Sequence, residues 1–148
     1  MESIDLNKIT LIVLDNNEIE IIQNNIFNGL NSVTLIDLKY NKITKINKET
    51  FHGLKKLNSL NLKHNNITEM DKDCFNELVS LTELYLNSNE LSNIDENTFQ
   101  DLFNFEKIYQ HNYKFTNKLK LYLVKSLTYI TVENYSGLAV ILLLSALI

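Results

Sequence analysis

The side chains with the most reactive chemistry in this 148-residue chain are three histidines and one cysteine. No Ser-His-Asp or Cys-His order matches a nucleophilic motif, and the three glycines form no phosphate-binding loop. His64 and His111 are expected on one face but two strands apart, about 10 Å, which is too far to share one zinc ion. A single cysteine also excludes an internal disulfide framework and a Cys-rich zinc cage. We therefore expect no enzyme, no metal site and no cofactor.

A set of asparagines offers a different chemistry, because a side-chain amide can donate and accept hydrogen bonds at the same time. These residues recur every 24 positions, at Asn17, Asn41, Asn65 and Asn89. Each follows an alternating apolar stretch, where a strand should turn away and leave backbone groups without partners. We expect Asn41, Asn65 and Asn89 to be buried and bonded to the backbone. Removing one such amide should cost roughly 1–3 kcal/mol.

The elements that must position these amides repeat with the same period. A leucine opens each unit at Leu6, Leu30, Leu54, Leu78 and Leu102, and a phenylalanine closes it at Phe27, Phe51, Phe75 and Phe99. Within a unit, alternation as in Leu60-Asn61-Leu62 predicts a short strand. Because successive units repeat this stretch in the same direction, neighbouring strands should be parallel. Stacking then creates one shared core.

At these residues the chain resembles the leucine-rich repeat family, and in particular its typical 24-residue subclass. That subclass is found in Toll-type receptor ectodomains and small leucine-rich proteoglycans. The resemblance covers residues 6 to about 109 strongly. It implies an α/β leucine-rich repeat solenoid, with short parallel strands on the concave face and irregular or short helical turns on the convex face.

The repeat pattern predicts one leucine-rich repeat domain over residues 1–135. Its regular units are 6–29, 30–53, 54–77 and 78–101, followed by degenerate units at 102–123 and 124–135. Gln110 and Tyr113 replace the strand leucine and the turn asparagine of the fifth unit. A sixth strand is predicted because Val124, Leu127, Ile130 and Val132 reproduce the earlier spacing.

Residues 136–148 form an apolar C-terminal segment that we interpret as a cap or an anchor. The twelve residues from Gly137 would span about 18 Å as a helix, which is short of the roughly 30 Å bilayer core. Three alternatives stay open: a terminal cap, a membrane anchor preceded by the lysine-rich stretch 107–125, or a truncated longer chain. We expect 137–148 to form a short helix or strand against Leu127, Ile130 and Val132. Its remaining apolar surface would favour self-association or membrane attachment.

Cys74 shares its repeat position with Ile26, Thr50 and Thr98. Residues at a shared position of a repeat have similar surroundings, so Cys74 is expected to be a small core residue. A reactive thiol is the less favoured interpretation.

The outward-facing residues of the strands and their flanks define the predicted concave face. The resemblance makes this face the expected partner site, with Tyr85 and Tyr109 as its centre, because tyrosine gives a large contact area at low entropy cost. The expected contact residues are Asp37, Lys39, Tyr40, Asn61, Lys63, His64, Glu83, Tyr85, Asn87, Lys107, Tyr109 and His111.

The function expected from the sequence is a non-catalytic protein–protein interaction module that binds a partner on this face. The alternative is a fragment or decayed copy of a larger leucine-rich repeat receptor-like protein with a truncated membrane segment. The net charge of −4 argues against a general nucleic-acid binder.

The N-terminal residues indicate a compartment. The first eight, Met1 to Lys8, contain no basic start and no uninterrupted apolar run, so they do not resemble a signal peptide. An intracellular or C-terminally membrane-attached protein is therefore expected, and an extracellular one only if the chain is a fragment. The sequons at Asn66 and Asn134 would carry glycans only in that last case.

Overall fold

The structure is a computed structural model that describes residues 4–92, 94, 95, 97–102, 104, 107–110, 129–133 and 139–142. For the last three segments it describes the backbone alone. The elements in chain order are a 3₁₀ helix at Leu6–Lys8 and the strands β1 Leu11–Val13, β2 Leu35–Asp37, β3 Lys45–Ile46, β4 Ser59–Asn61, β5 Glu69–Met70, β6 Glu83–Tyr85, β7 Lys107–Gln110, β8 Tyr129–Glu133 and β9 Ala139–Leu142.

The main sheet follows the repeat unit by unit. Its strand order is β1-β2-β4-β6-β7-β8-β9. From β1 to β7 the strands are parallel and each residue pairs with the one 24 positions later, so that Ile36 lies beside Leu60. The register arises because the apolar member of each strand must point into the common core. The predicted leucine-rich repeat solenoid is therefore confirmed.

The opposite side of each unit is mostly irregular. Turns such as the one at residues 71–74, where the Cys74 N–H donates to the Asp71 carbonyl at 3.1 Å, replace helices there. The sequence analysis did not predict the small second sheet, in which β3 pairs with β5 in parallel and Ile46 lies beside Met70. The units thus stack through backbone hydrogen bonds on both sides of the core.

A row of phenylalanines lies between these two sides. Phe27, Phe51, Phe75 and Phe99 stack with ring centroids 6.0, 6.3 and 6.0 Å apart. All four rings are buried, as is Cys74. Burial raises the pKa of the Cys74 thiol, with Asp71 and Asp73 adding to the effect. Cys74 is therefore a core residue with a suppressed thiolate.

The main sheet ends with one more parallel strand, β8, and one antiparallel strand, β9. β8 runs parallel to β7 with Ile130 beside Ile108, a separation of 22 residues. β9 then pairs antiparallel with β8, which places Leu142 beside Ile130 and Val140 beside Val132. Residues 139–142 thus form a strand rather than the helix that was the other expectation, while Val124 and Leu127 lie outside the described residues. Among the residues that are described, no helix is long and apolar enough to cross a membrane.

Candidate functional site

The asparagine ladder, which consists of Asn17, Asn41, Asn65 and Asn89, fixes the backbone at the edge of the concave face. The Nδ2 group of Asn65 donates to the carbonyls of Leu38 at 3.0 Å and Leu62 at 3.1 Å, and its Oδ1 accepts the Ile43 N–H at 3.0 Å. Each amide therefore ties its own unit to the preceding one. Asn41 makes the corresponding bonds, and both residues are only 6% exposed.

The two ends of the ladder differ from its middle. Asn89 keeps the full set of bonds, to Leu62, Leu86 and Ile67, but it is half-buried rather than buried. Asn17 is exposed and donates only within its own unit, to the carbonyls of Leu14 and Asp15. The full bonding pattern needs a preceding unit, because Oδ1 of each ladder asparagine accepts from the unit before it.

The residue before each ladder asparagine has a left-handed backbone. Asn16, Tyr40, His64 and Ser88 have φ between 53° and 58°. This conformation costs a non-glycine residue roughly 1–2 kcal/mol. It turns the chain out of the strand, and at two of these positions it places an aromatic ring at the rim of the face.

Those two rings stack on one another. The ring centroids of Tyr40 and His64 are 4.5 Å apart with an interplanar angle of 10°. Tyr40 is exposed and His64 is half-buried. The pair gives the rim a flat, rigid aromatic surface that a partner side chain can contact from one side.

A charged cluster occupies the N-terminal part of the face. Lys39 Nζ lies 2.8 Å from Asp37 Oδ2 and 3.6 Å from Asp15 Oδ2. The hydrogen bond that Lys39 Nζ donates to Asp37 raises the pKa of Lys39, and the negative charge of Asp15 adds to the effect. The cluster holds two carboxylates and one ammonium, so it keeps one negative charge in excess.

Polar contacts also hold the centre of the face in place. The Asn61 Oδ1 accepts the Lys63 N–H at 3.1 Å, and the Tyr85 hydroxyl donates to Glu83 Oε2 at 3.2 Å. Asn61, Lys63, Glu83 and Tyr85 are all half-buried. Their side chains are therefore partly fixed before any partner arrives.

One expected contact residue is placed differently. Asn87 is only 3% exposed, and its Oδ1 has no hydrogen-bond partner among the residues that the structure describes. The prediction that Asn87 contacts a partner is wrong because the side chain does not reach the surface. Lys39 and Lys63 occupy the same repeat position and reach the surface with longer side chains. Of Lys107, Tyr109 and His111, the structure describes only the backbone of the first two, with Tyr109 beside Tyr85 and Lys107 beside Glu83.

The sequence analysis did not identify a polar cluster on the convex side. His52 Nδ1 lies 2.8 Å from Glu77 Oε1, and the other Glu77 oxygen accepts the Gly53 N–H at 3.0 Å. His52 and Glu77 border a cavity of about 160 Å³. Their separation of 25 residues differs from the 24-residue period, so the repeat alignment does not bring them together. Within the described ranges, no three His, Cys, Asp or Glu residues are grouped as a metal site would require.

Comparison with known proteins identifies the family. The family model named Leucine rich repeat matches residues 7–67 and 56–109, which is more than half of the chain. The chain belongs to the leucine-rich repeat family. The resemblance predicted from the sequence is therefore confirmed, and membership indicates a protein-interaction module.

Two solved structures are similar to the chain. One is the Toll–Spatzle complex, described as a molecular hub in Drosophila development and innate immunity, with a TM-score of 0.67 and 19% identity over 74% of this chain. The other is the TLR13–ssRNA13 complex, with a TM-score of 0.66 and 26% identity over 86% of this chain. This chain spans only 15% and 16% of the lengths of those two proteins. No curated protein sequence matches the chain significantly.

Proposed function

We propose that the chain is a non-catalytic module that binds a protein partner through the concave face of its repeat sheet. The observation that carries the proposal is the fixed surface formed by Tyr40 stacked on His64 and by Tyr85 bonded to Glu83. A surface that is ordered before binding loses less conformational entropy when the partner arrives. The expected contact set is Asp37, Lys39, Tyr40, Asn61, Lys63, His64, Glu83 and Tyr85, extended by Lys107, Tyr109 and His111.

The charges on the concave face favour a partner surface that carries both positive and negative groups. The Asp15–Lys39–Asp37 cluster has an excess negative charge at one end of the face. Lys63 follows β4 in the centre of the face, between this cluster and Glu83 on β6. Alternating charges of this kind determine which partner binds and in which orientation more than they raise the affinity.

The size of the face predicts weak binding. Five strands about 4.8 Å apart and four residues deep at about 3.3 Å give roughly 250 Å². A standard interface takes about 800 Å² from each partner. The expected dissociation constant is therefore micromolar or weaker, unless the flanks of the face also take part.

A charge-reversal pair tests the proposal. Lys63→Glu changes the centre of the concave face, and Lys72→Glu makes the same change at an exposed convex position. We expect a partner captured by the wild-type chain to be lost with Lys63→Glu and retained with Lys72→Glu. Equal capture by both variants, with both folded by circular dichroism, would place the site elsewhere.

Nucleic acid is the competing class of ligand. One similar structure is a complex with single-stranded RNA, whereas the net charge of −4 disfavours a polyanion. Fluorescence anisotropy with a labelled single-stranded RNA at two salt concentrations separates the classes. Salt-dependent RNA binding that is weakened by Lys63→Glu would overturn the proposal of a protein partner. The alternative of a partnerless fragment of a larger receptor-like protein predicts no specific capture by any variant.

A further inference from the structure

The first repeat exposes far more apolar surface than the others. Seven of the nine exposed large apolar side chains in the described part of the chain lie between residues 4 and 26. They are Ile4, Leu6, Leu11, Val13, Leu14, Ile21 and Ile26. They occupy the outermost edge of the described sheet, where β1 pairs with β2 on one side.

Part of this exposure follows from position in the stack. Ile26 is 56% exposed, whereas Thr50, at the same repeat position, is fully buried. Ile26 also borders an open apolar hollow of about 250 Å³ at this end. In later repeats the preceding unit covers the position that Ile26 occupies here.

Another part of the exposure comes from the residue types themselves. Ile21 is 72% exposed, and the later repeats carry Lys45 and Glu69 at that position. Val13 is likewise exposed where the next two repeats carry Asp37 and Asn61. Apolar residues thus replace polar ones at surface positions of this unit alone. Such a patch is typical of an interaction surface.

The backbone of β1 offers hydrogen bonds on its outer edge. The Thr10 carbonyl accepts the Thr34 N–H at 2.8 Å, and the Leu14 N–H donates to the Asp37 carbonyl at 2.8 Å. Because backbone groups alternate in direction along a strand, the N–H and C=O groups of Leu11 and Val13 point away from β2. Leu11 and Val13 lie symmetrically about Ile12. A two-fold rotation about Ile12 therefore places the outward groups of Leu11 in one copy opposite those of Val13 in the other.

We propose that this edge is a self-association surface, on which β1 of a second copy pairs antiparallel to β1 about a two-fold axis at Ile12. Leu11 of one copy then exchanges backbone hydrogen bonds with Val13 of the other, as a closely bonded antiparallel pair does. The exposed Ile26 side chains of both copies are covered in the same contact, as a preceding unit covers Thr50 in the next repeat. An isologous contact of this kind uses one patch twice and closes as a dimer.

Charge supports a second copy as the occupant. The Asp15–Lys39–Asp37 cluster lies at the C-terminal end of β1 and lacks one positive charge. Lys8 is exposed at the other end of β1. The two-fold rotation brings Lys8 of each copy to the side of the axis where the partner's cluster lies, so opposite charges meet at both ends.

The oligomeric state of the full chain is the first test. Sedimentation equilibrium should give twice the chain mass at micromolar concentration for the wild type. Ile26→Glu should give the monomer mass, whereas Val79→Glu, at an exposed apolar position of the fourth repeat, should leave the dimer intact. A monomeric wild type at 100 µM overturns the proposal. A dimer that survives Ile26→Glu overturns it as well.

A charge exchange tests the antiparallel arrangement without depending on one variant. Lys8→Glu alone and Asp15→Lys alone should each weaken dimerisation about tenfold, because two exposed pairs become repulsive. A mixture of the two variants should restore it, since each copy then supplies the charge that the other lacks. Lys56→Glu, an exposed control, should have no effect. A mixture that dimerises no better than its components refutes the two-fold arrangement.

Discussion

Replacing Asn65 by alanine tests the ladder at its best-connected position. The change removes the hydrogen bonds to Leu38, Leu62 and Ile43, which range from 3.0 to 3.1 Å. Each bond has a net value of about 1 kcal/mol, and the backbone groups left behind are buried. The expected loss in the free energy of unfolding is therefore about 3 kcal/mol.

Asn17→Ala is the matched control because it makes the same change at the same repeat position. Asn17 is exposed, so water replaces its bonds to Leu14 and Asp15. A loss of less than about 1 kcal/mol is expected there. The difference between the two variants measures what stacking on a preceding unit adds to an otherwise identical amide.

Urea unfolding followed by far-UV circular dichroism gives both free energies, and thermal melting should show a lower midpoint by roughly 6–12 °C for Asn65→Ala. Asn65→Asp sharpens the test. It retains an acceptor for Ile43 but turns a carboxylate oxygen toward two carbonyls, so at neutral pH it should be less stable than the alanine variant. Equal losses for Asn17→Ala and Asn65→Ala would refute the reasoning.

Three further predictions concern the core and the turns. Burial raises the pKa of the Cys74 thiol above its ordinary 9.0, so unfolding releases a proton above about pH 9. The free energy of unfolding should therefore fall there by up to about 1.4 kcal/mol per pH unit. Between pH 8 and pH 10 the urea midpoint should fall less for Cys74→Thr than for the wild type. Phe75→Ala should cost about 3–5 kcal/mol in urea unfolding, whereas Val79→Ala, which removes an exposed side chain, should change stability by less than about 0.5 kcal/mol. Ser88 has a φ of 58°, and asparagine tolerates this conformation better; Ser88→Asn should therefore raise the thermal midpoint, and Ser92→Asn should leave it unchanged.

The parts of the fold that could be predicted from the sequence are those that recur. Leu60 pairs with Ile36 and Leu84 because a 24-residue period leaves one register in which every apolar strand residue faces the core. The β3–β5 sheet was not predictable in the same way. Each of its strands has two residues, which is too short for an alternating pattern to be recognised.

The candidate site was less predictable because it depends on side-chain length and on neighbours in other units. The repeat position predicts that Asn87 resembles Lys63, but the shorter amide does not reach the surface. The His52–Glu77 contact joins residues at different positions of adjacent units. Such a contact depends on how the turns are offset, which a single sequence does not determine.

The row of phenylalanine rings runs in series through four units, with neighbouring ring centroids 6.0–6.3 Å apart. Each inner ring stacks on a ring of the unit before it and on a ring of the unit after it, so the loss of one ring weakens three units at once. Strong coupling between neighbours makes a stack of repeats unfold as one cooperative block rather than one unit at a time.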